Sequence, residues 1–215
     1  MLIDIGVIQM PLEFEYAYLK SVLGGLAKPR IKVTPYMPKI RIQPSRRVEV
    51  ISAWSGIEEI IPDLIERFDL GTESCLEFGV ELGFSTVALS SYFASVTGVD
   101  TFQGDRHTKR TRDLFAETSE RLASFDNIQL IRADYRDYTK TADPDARYDL
   151  IHVDIIHTFA DTYACGLWSA QHSKCTIFHD TQSFPAVKQA VREVARDTGK
   201  EFYNFKEFFG LGIVI

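Results

Sequence analysis

Ser74-Cys-Leu-Glu-Phe-Gly79-Val-Glu-Leu-Gly83-Phe-Ser85-Thr86 runs a short, mostly apolar segment straight into two glycines and two hydroxyl residues. The apolar run predicts a buried strand. Gly79 lets the chain turn tightly because it has no Cβ, and Gly83 lets the next helix pack against the strand. Ser85 and Thr86 are expected to satisfy free N–H groups in that helix's first turn. The spacing is not the G-x-G-x-x-G of a dinucleotide site. Glu81 stands between the glycines, where a carboxylate repels a pyrophosphate.

Outward from this turn the alternation repeats. Ser95–Asp100, Ile128–Arg132, Tyr148–Asp154 and Cys175–Asp180 read as further strands. Helical patterns cover 85–93, 109–124, 159–171 and 184–198. The last two strands, near Phe202–Phe205 and Leu211–Ile215, are joined by a short turn at Gly210. Strands alternating with helices predict a Rossmann-like, doubly wound α/β fold with a mostly parallel sheet, and the short turn predicts an antiparallel last strand. Residues 48–215 form this domain. At its start, Ser52 or Ser55 is the expected cap of a helix through about Phe68, with Ile57, Ile60, Ile61, Leu64 and Ile65 on one face and Pro62 breaking or kinking it. Residues 1–47 read as an N-terminal arm, a lid or an oligomer contact. Leu12–Leu23 has helical spacing, and the four prolines of 28–44 predict extended chain lying outside the core sheet.

The 215 residues carry a net charge of −6, which disfavours nucleic acid as the main partner. No run approaches the apolar length of a membrane span, and the opening MLIDIGVIQMPLEFEY has no basic region typical of a signal peptide. Three cysteines without a CxxC pair predict buried thiols in a reducing cytoplasm.

Doubly wound sheets bind ligands at the carboxyl ends of their strands, beside the switch point in strand order. Asp100 ends the second strand about 20 residues after the glycine turn, where an acidic group accepts ribose hydroxyls. Asp134 follows the third strand and is placed to accept from an adenine amino group, with Tyr135 or Phe102 against the ring. Asp154 ends the fourth strand, His157 follows it, and His179-Asp180 ends the fifth. His152 reads as a core histidine, His172 as a helix-end or surface residue, and His107 as a loop residue within reach of a substrate.

Together, Glu77-x-Gly79-x-x-x-Gly83-x-Ser85, Val-Asp100-Thr-Phe-Gln-Gly-Asp105, Asp154-x-x-His157-Thr158 and Phe178-His179-Asp180-Thr181 resemble the class I methyltransferases. More narrowly they resemble the small-molecule and macrolide-sugar O-methyltransferases, over about residues 70–215. The resemblance implies an S-adenosylmethionine site at Glu77, Gly79, Gly83, Ser85, Asp100, Thr101, Asp134 and Tyr135. It implies methyl transfer to a hydroxyl of a small-molecule acceptor, with a sugar as one such acceptor. His157 and Asp154 are the catalytic candidates, the imidazole serving as base near neutral pH. Asp154, Asp180 and His179 are the candidate ligands for Mg²⁺ or another divalent cation. His179 departs from the sugar enzymes, where an acidic residue precedes the final aspartate, and imidazole suits zinc or iron better than magnesium. The chain lacks an N-P-P-Y-like tetrad, which disfavours exocyclic amines as acceptors. A hydrolase or oxygenase on the same scaffold, or a binding module without catalysis, stays open as an alternative.

Overall fold

The computed structural model describes residues 12–25, 31–104 and 112–215. His107 and Asp105 lie outside the described residues. The helices are α1 (Leu12–Gly25), α2 (Ile61–Phe68), α3 (Phe84–Leu89), α4 (Phe115–Leu122), α5 (Tyr135–Thr141), α6 (Phe159–His172) and α7 (Pro185–Thr198). The strands are β1 (Val33–Pro35), β2 (Ser74–Phe78), β3 (Ser95–Asp100), β4 (Ile128–Arg132), β5 (Tyr148–Val153), β6 (Ser173–His179), β7 (Phe202–Phe205) and β8 (Leu211–Val214). They form one sheet in the order β1-β7-β8-β6-β5-β2-β3-β4. Only β8 runs antiparallel to its neighbours, β6 and β7. The mostly parallel Rossmann-like sheet with an antiparallel last strand is therefore present.

Alternation along the strands builds two cores. Cys75, Leu150, Ile177 and Ile213 point into one, with Ile57, Ile61 and Leu64 beside α2. Their neighbours Leu76, Ile151, Phe178 and Val214 point into the other, with Val187, Val191 and Val194 of α7. A strand buried on both faces must be apolar nearly throughout, which explains why these runs read so clearly. All three cysteines are free and buried. Among the described residues, no helix is long and apolar enough to cross a membrane.

Two local expectations change. The helix before β2 starts later than the expected Ser52 or Ser55 cap: a 3₁₀ turn at Glu58–Ile60 leads into α2 without a side-chain cap, and Pro62 lies in the first turn of α2, where a missing N–H costs nothing. The extended arm does not stay outside the sheet. Val33–Pro35 pairs in parallel with Phe202–Asn204 and becomes the eighth, edge strand. A buried carboxylate anchors it. Asp63 accepts from the Tyr36 hydroxyl and from the backbone N–H groups of Lys39 (2.8 Å) and Ile40 (3.0 Å).

Replacing Asp63 by Ala strands three donors, each costing about 1–3 kcal/mol if left unsatisfied. A loss of at least about 2 kcal/mol in urea unfolding is the expected outcome.

Candidate active site

The order of strands reverses between β2 and β5, so the turns after these strands face each other across the switch point. Phe78 pairs with Val153, which makes Gly79 and Asp154 the next residues on each side. Gly79 has φ 94°, and a Cβ built there would lie 1.7 Å from the Asp154 carbonyl oxygen. Gly83 has φ 86° and caps α3, and its Cβ would strike Leu122 of α4 at 2.6 Å. Both glycines thus serve packing inside the protein, between elements the sequence alone does not bring together.

Asp100 clamps this turn. One carboxylate oxygen accepts from Val80 N and Glu81 N, each at 2.8 Å, and the other from Phe102 N at 2.7 Å. Glu81 and Phe102 are left-handed, with φ 50° and 56°, a conformation costing a non-glycine residue roughly 1–2 kcal/mol. The amide bonds to Asp100 offset that cost. Thr101 lies half-buried beside the clamp, its hydroxyl 3.4 Å from Asp100.

The other residues expected at the donor site divide. Glu77 is fully buried. It accepts from the Thr86 hydroxyl, so Thr86 does not cap α3 as expected, and from His152 Nδ1 at 2.9 Å. The Trp54 indole only donates, and it points at His152 Nε2, 3.1 Å away. That fixes His152 as the Nδ1–H tautomer, a satisfied core histidine. Ser85 lies buried in the first turn of α3. Asp134 caps α5 by accepting from Arg136 N at 2.8 Å and pairs with the Arg136 guanidinium at 3.0 Å. Tyr135 donates to Asp161 at 2.8 Å, and Phe102 is wholly enclosed against Phe115.

The second group of residues does converge. His157 Nε2 lies 2.9 Å from Asp180 Oδ2 and 3.6 Å from Asp154 Oδ1. His179 Nδ1 lies 3.1 Å from Asp154 Oδ2 and 3.5 Å from Asp180 Oδ2. The His157 ring stacks on Phe184, 4.2 Å between centroids. Burial lowers the pKa of His157, but bonds to the Asp154 and Asp180 carboxylates outweigh it and push it up to about 10. At neutral pH His157 is therefore an imidazolium held between two carboxylates. His179 is likewise raised, since the Asp154 charge outweighs its burial.

One oxygen each from Asp154 and Asp180 and one nitrogen of His157 lie within 4.8 Å of one another, close enough to share one cation. The imidazole in this trio is His157 rather than the expected His179, whose Nδ1 lies 3.1 Å from Asp154 Oδ2. Two carboxylates with an imidazole fit a divalent cation, and the nitrogen favours iron or zinc over magnesium.

Asp161 was not singled out from the sequence. It is buried and gathers the Tyr135 hydroxyl, the Arg136 guanidinium and the Thr158 hydroxyl (2.6 Å) at the start of α6. Thr158-x-x-Asp161 is a capping-box pattern, and that was the available signal. Trp54 had none, since nothing local links it to His152.

Comparison with known proteins agrees with the fold. Residues 76–181 match a family profile described as a methyltransferase domain. The chain carries a methyltransferase domain on the class I methyltransferase fold. The match spans β2 through Thr181, and so takes in the glycine turn, the Asp100 clamp and the histidine–aspartate cluster. An amino pentose methyltransferase from Micromonospora echinaspora, solved with S-adenosylmethionine, shares the fold at 12% identity and a TM-score of 0.56, over 76% of this chain and 91% of that one. An O-methyltransferase from Bacillus cereus, solved with S-adenosylhomocysteine, shares it at 12% identity and a TM-score of 0.51, over 98% and 93%. No curated protein sequence matches the chain significantly.

Gly79→Ala is expected to cost about 3 kcal/mol or more, because strain at positive φ adds to a backbone collision; chemical denaturation measures it. The raised His157 pKa gives a second expectation. A folded pKa above the unfolded one adds stability that is full below about 6.5 and lost as pH climbs to about 10. The thermal midpoint of the metal-free protein should fall over that window, and His157→Gln should flatten the fall.

Proposed function

We propose that this methyltransferase moves the methyl group of S-adenosylmethionine to a hydroxyl oxygen of a small molecule. The observation that carries the reading is the convergence of Asp154, His157 and Asp180 beside the clamped glycine turn. Transfer needs the acceptor oxygen in line with the sulfonium methyl and freed of its proton. Alignment supplies several kcal/mol in such reactions, and a general base adds roughly 10²–10⁴-fold. Asp154 brings both requirements together, because its carbonyl abuts the donor turn while its carboxylate faces His157.

His157 accepts a proton only once it has lost its own, so transfer without added metal rises with pH from neutrality toward about 10. A divalent cation held by Asp154, Asp180 and His157 would lower the pKa of an acceptor hydroxyl bound to it. A sugar hydroxyl is one acceptor of this kind. The net charge of −6 supports a small molecule over nucleic acid, and three buried free thiols support a reducing, cytoplasmic setting.

The test is calorimetric titration of S-adenosylhomocysteine into chelator-treated protein, repeated with Zn²⁺ and Mg²⁺. Binding is expected under both conditions, with a separate metal isotherm lost in Asp180→Asn. No binding under any condition would remove the methyltransferase reading. S-adenosylhomocysteine binding without a metal isotherm would leave transfer to His157 and the two carboxylates alone.

A further inference from the structure

Between β7 and β8 the chain makes a tip whose backbone is unusual for its residues. Phe208, Phe209 and Gly210 are consecutive left-handed residues, with φ 49°, 67° and 93°. Only the glycine adopts that conformation without penalty. The tip is also tightly determined. Gly210 N–H donates to Glu207 O at 2.9 Å, and Gln182 N–H donates to Phe209 O at 2.8 Å. A Cβ on Gly210 would meet Gln182 N at 2.6 Å. The tip is thereby seated on the turn that begins at Asp180, itself left-handed with φ 65°.

The two phenylalanines have different surroundings. The Phe208 ring lies over Gly56, where any Cβ would come within 2.5 Å of it. Arg41 ties the same tip to the N-terminal segment by pairing with Glu207 at 2.8 Å. Phe209 is the outward residue, 55% exposed, with its ring edge-to-face over His179 at 6.4 Å. His179 beneath it is buried and touches Asp154. Ile156, adjacent to His157 in the sequence, is 54% exposed. A large apolar ring held in a costly backbone conformation and left uncovered gains little from packing. Strain of this sort persists where it presents a side chain for use.

We infer that Phe209 is a specificity-determining residue: it is the platform on which the acceptor lies, and the acceptor is a ring with a flat apolar face and a hydroxyl at its edge. This rests on the methyl-transfer reading given above. Such a ring, laid on Phe209, lies above His179, whose Nδ1 is 3.1 Å from Asp154 and 3.5 Å from Asp180. Two sources share this chemistry, an aromatic diol and a pyranose, whose C–H face also stacks on aromatic rings.

The experiment titrates catechol and methyl β-D-glucopyranoside into protein saturated with S-adenosylhomocysteine, with binding followed by ligand-observed NMR. The expected result is that one probe binds the unmodified chain and weakens about tenfold in Phe209→Ala, the size of one aromatic contact. Phe209→Tyr should restore it. Whichever probe behaves this way names the source. Phe209→Gly, which relieves the backbone, should keep or raise the thermal midpoint while weakening the probe. Undiminished binding to Phe209→Ala overturns the inference, as does failure of both probes on a chain that holds S-adenosylhomocysteine. So does a sharp fall in the midpoint of Phe209→Gly, which would mark the ring as packing. A chain that fails to bind S-adenosylhomocysteine overturns the methyl-transfer reading instead.

Discussion

The Asp154 carbonyl oxygen occupies the space where any side chain at position 79 would begin. Two turns on neighbouring strands are thereby pressed together at the switch point of the sheet. Gly79 must take a positive φ to leave β2, and it must lack a Cβ to admit the other turn. The same contact sets the distance between the turn assigned to the donor and the carboxylate assigned to the acceptor. The spacing of the two turns thus comes from backbone packing, which yields less readily than a side-chain contact.

Under that contact lies a layer of buried polar groups. Trp54, His152, Glu77 and Thr86 form a continuous chain of donors and acceptors that ends beneath the glycine turn. Asp161 plays a similar part beneath the far end, collecting Tyr135, Arg136 and Thr158. Several carboxylates expected at the ligand site also hold the protein's own groups. Asp100 is the clearest case, with three backbone amides on its two oxygens. Networks of this kind fix a unique arrangement when fully satisfied and are costly when broken.

The sheet was legible because its inner strands β2, β5, β6 and β8 are largely buried on both faces and stand out as short apolar runs. The Asp154, His157, Asp180 convergence was also legible, since parallel neighbours bring their carboxyl ends together. Three things were not. The tripeptide Val33–Pro35 is too short to announce a strand, and its partner lies about 170 residues away. The role of Glu77 depends on Trp54, which reaches His152 across 98 residues. The charge state of His157 could not be read from residue type, because an unperturbed imidazole pKa says nothing about two carboxylates folded against it.

The three-residue strand β1 also governs what the sheet can do to other chains. Without it, β7 would present its unpaired amides to solvent as a template for another strand, the usual route to edge-to-edge aggregation. Covering that edge with a longer strand would only move the template outward. Val33–Pro35 covers it with a strand that stops almost at once, at a proline that has no N–H to offer. Pro38 follows within one turn's length. The N-terminal segment thereby makes that side of the sheet a dead end for further strands, a form of solubility built from backbone chemistry rather than from charge.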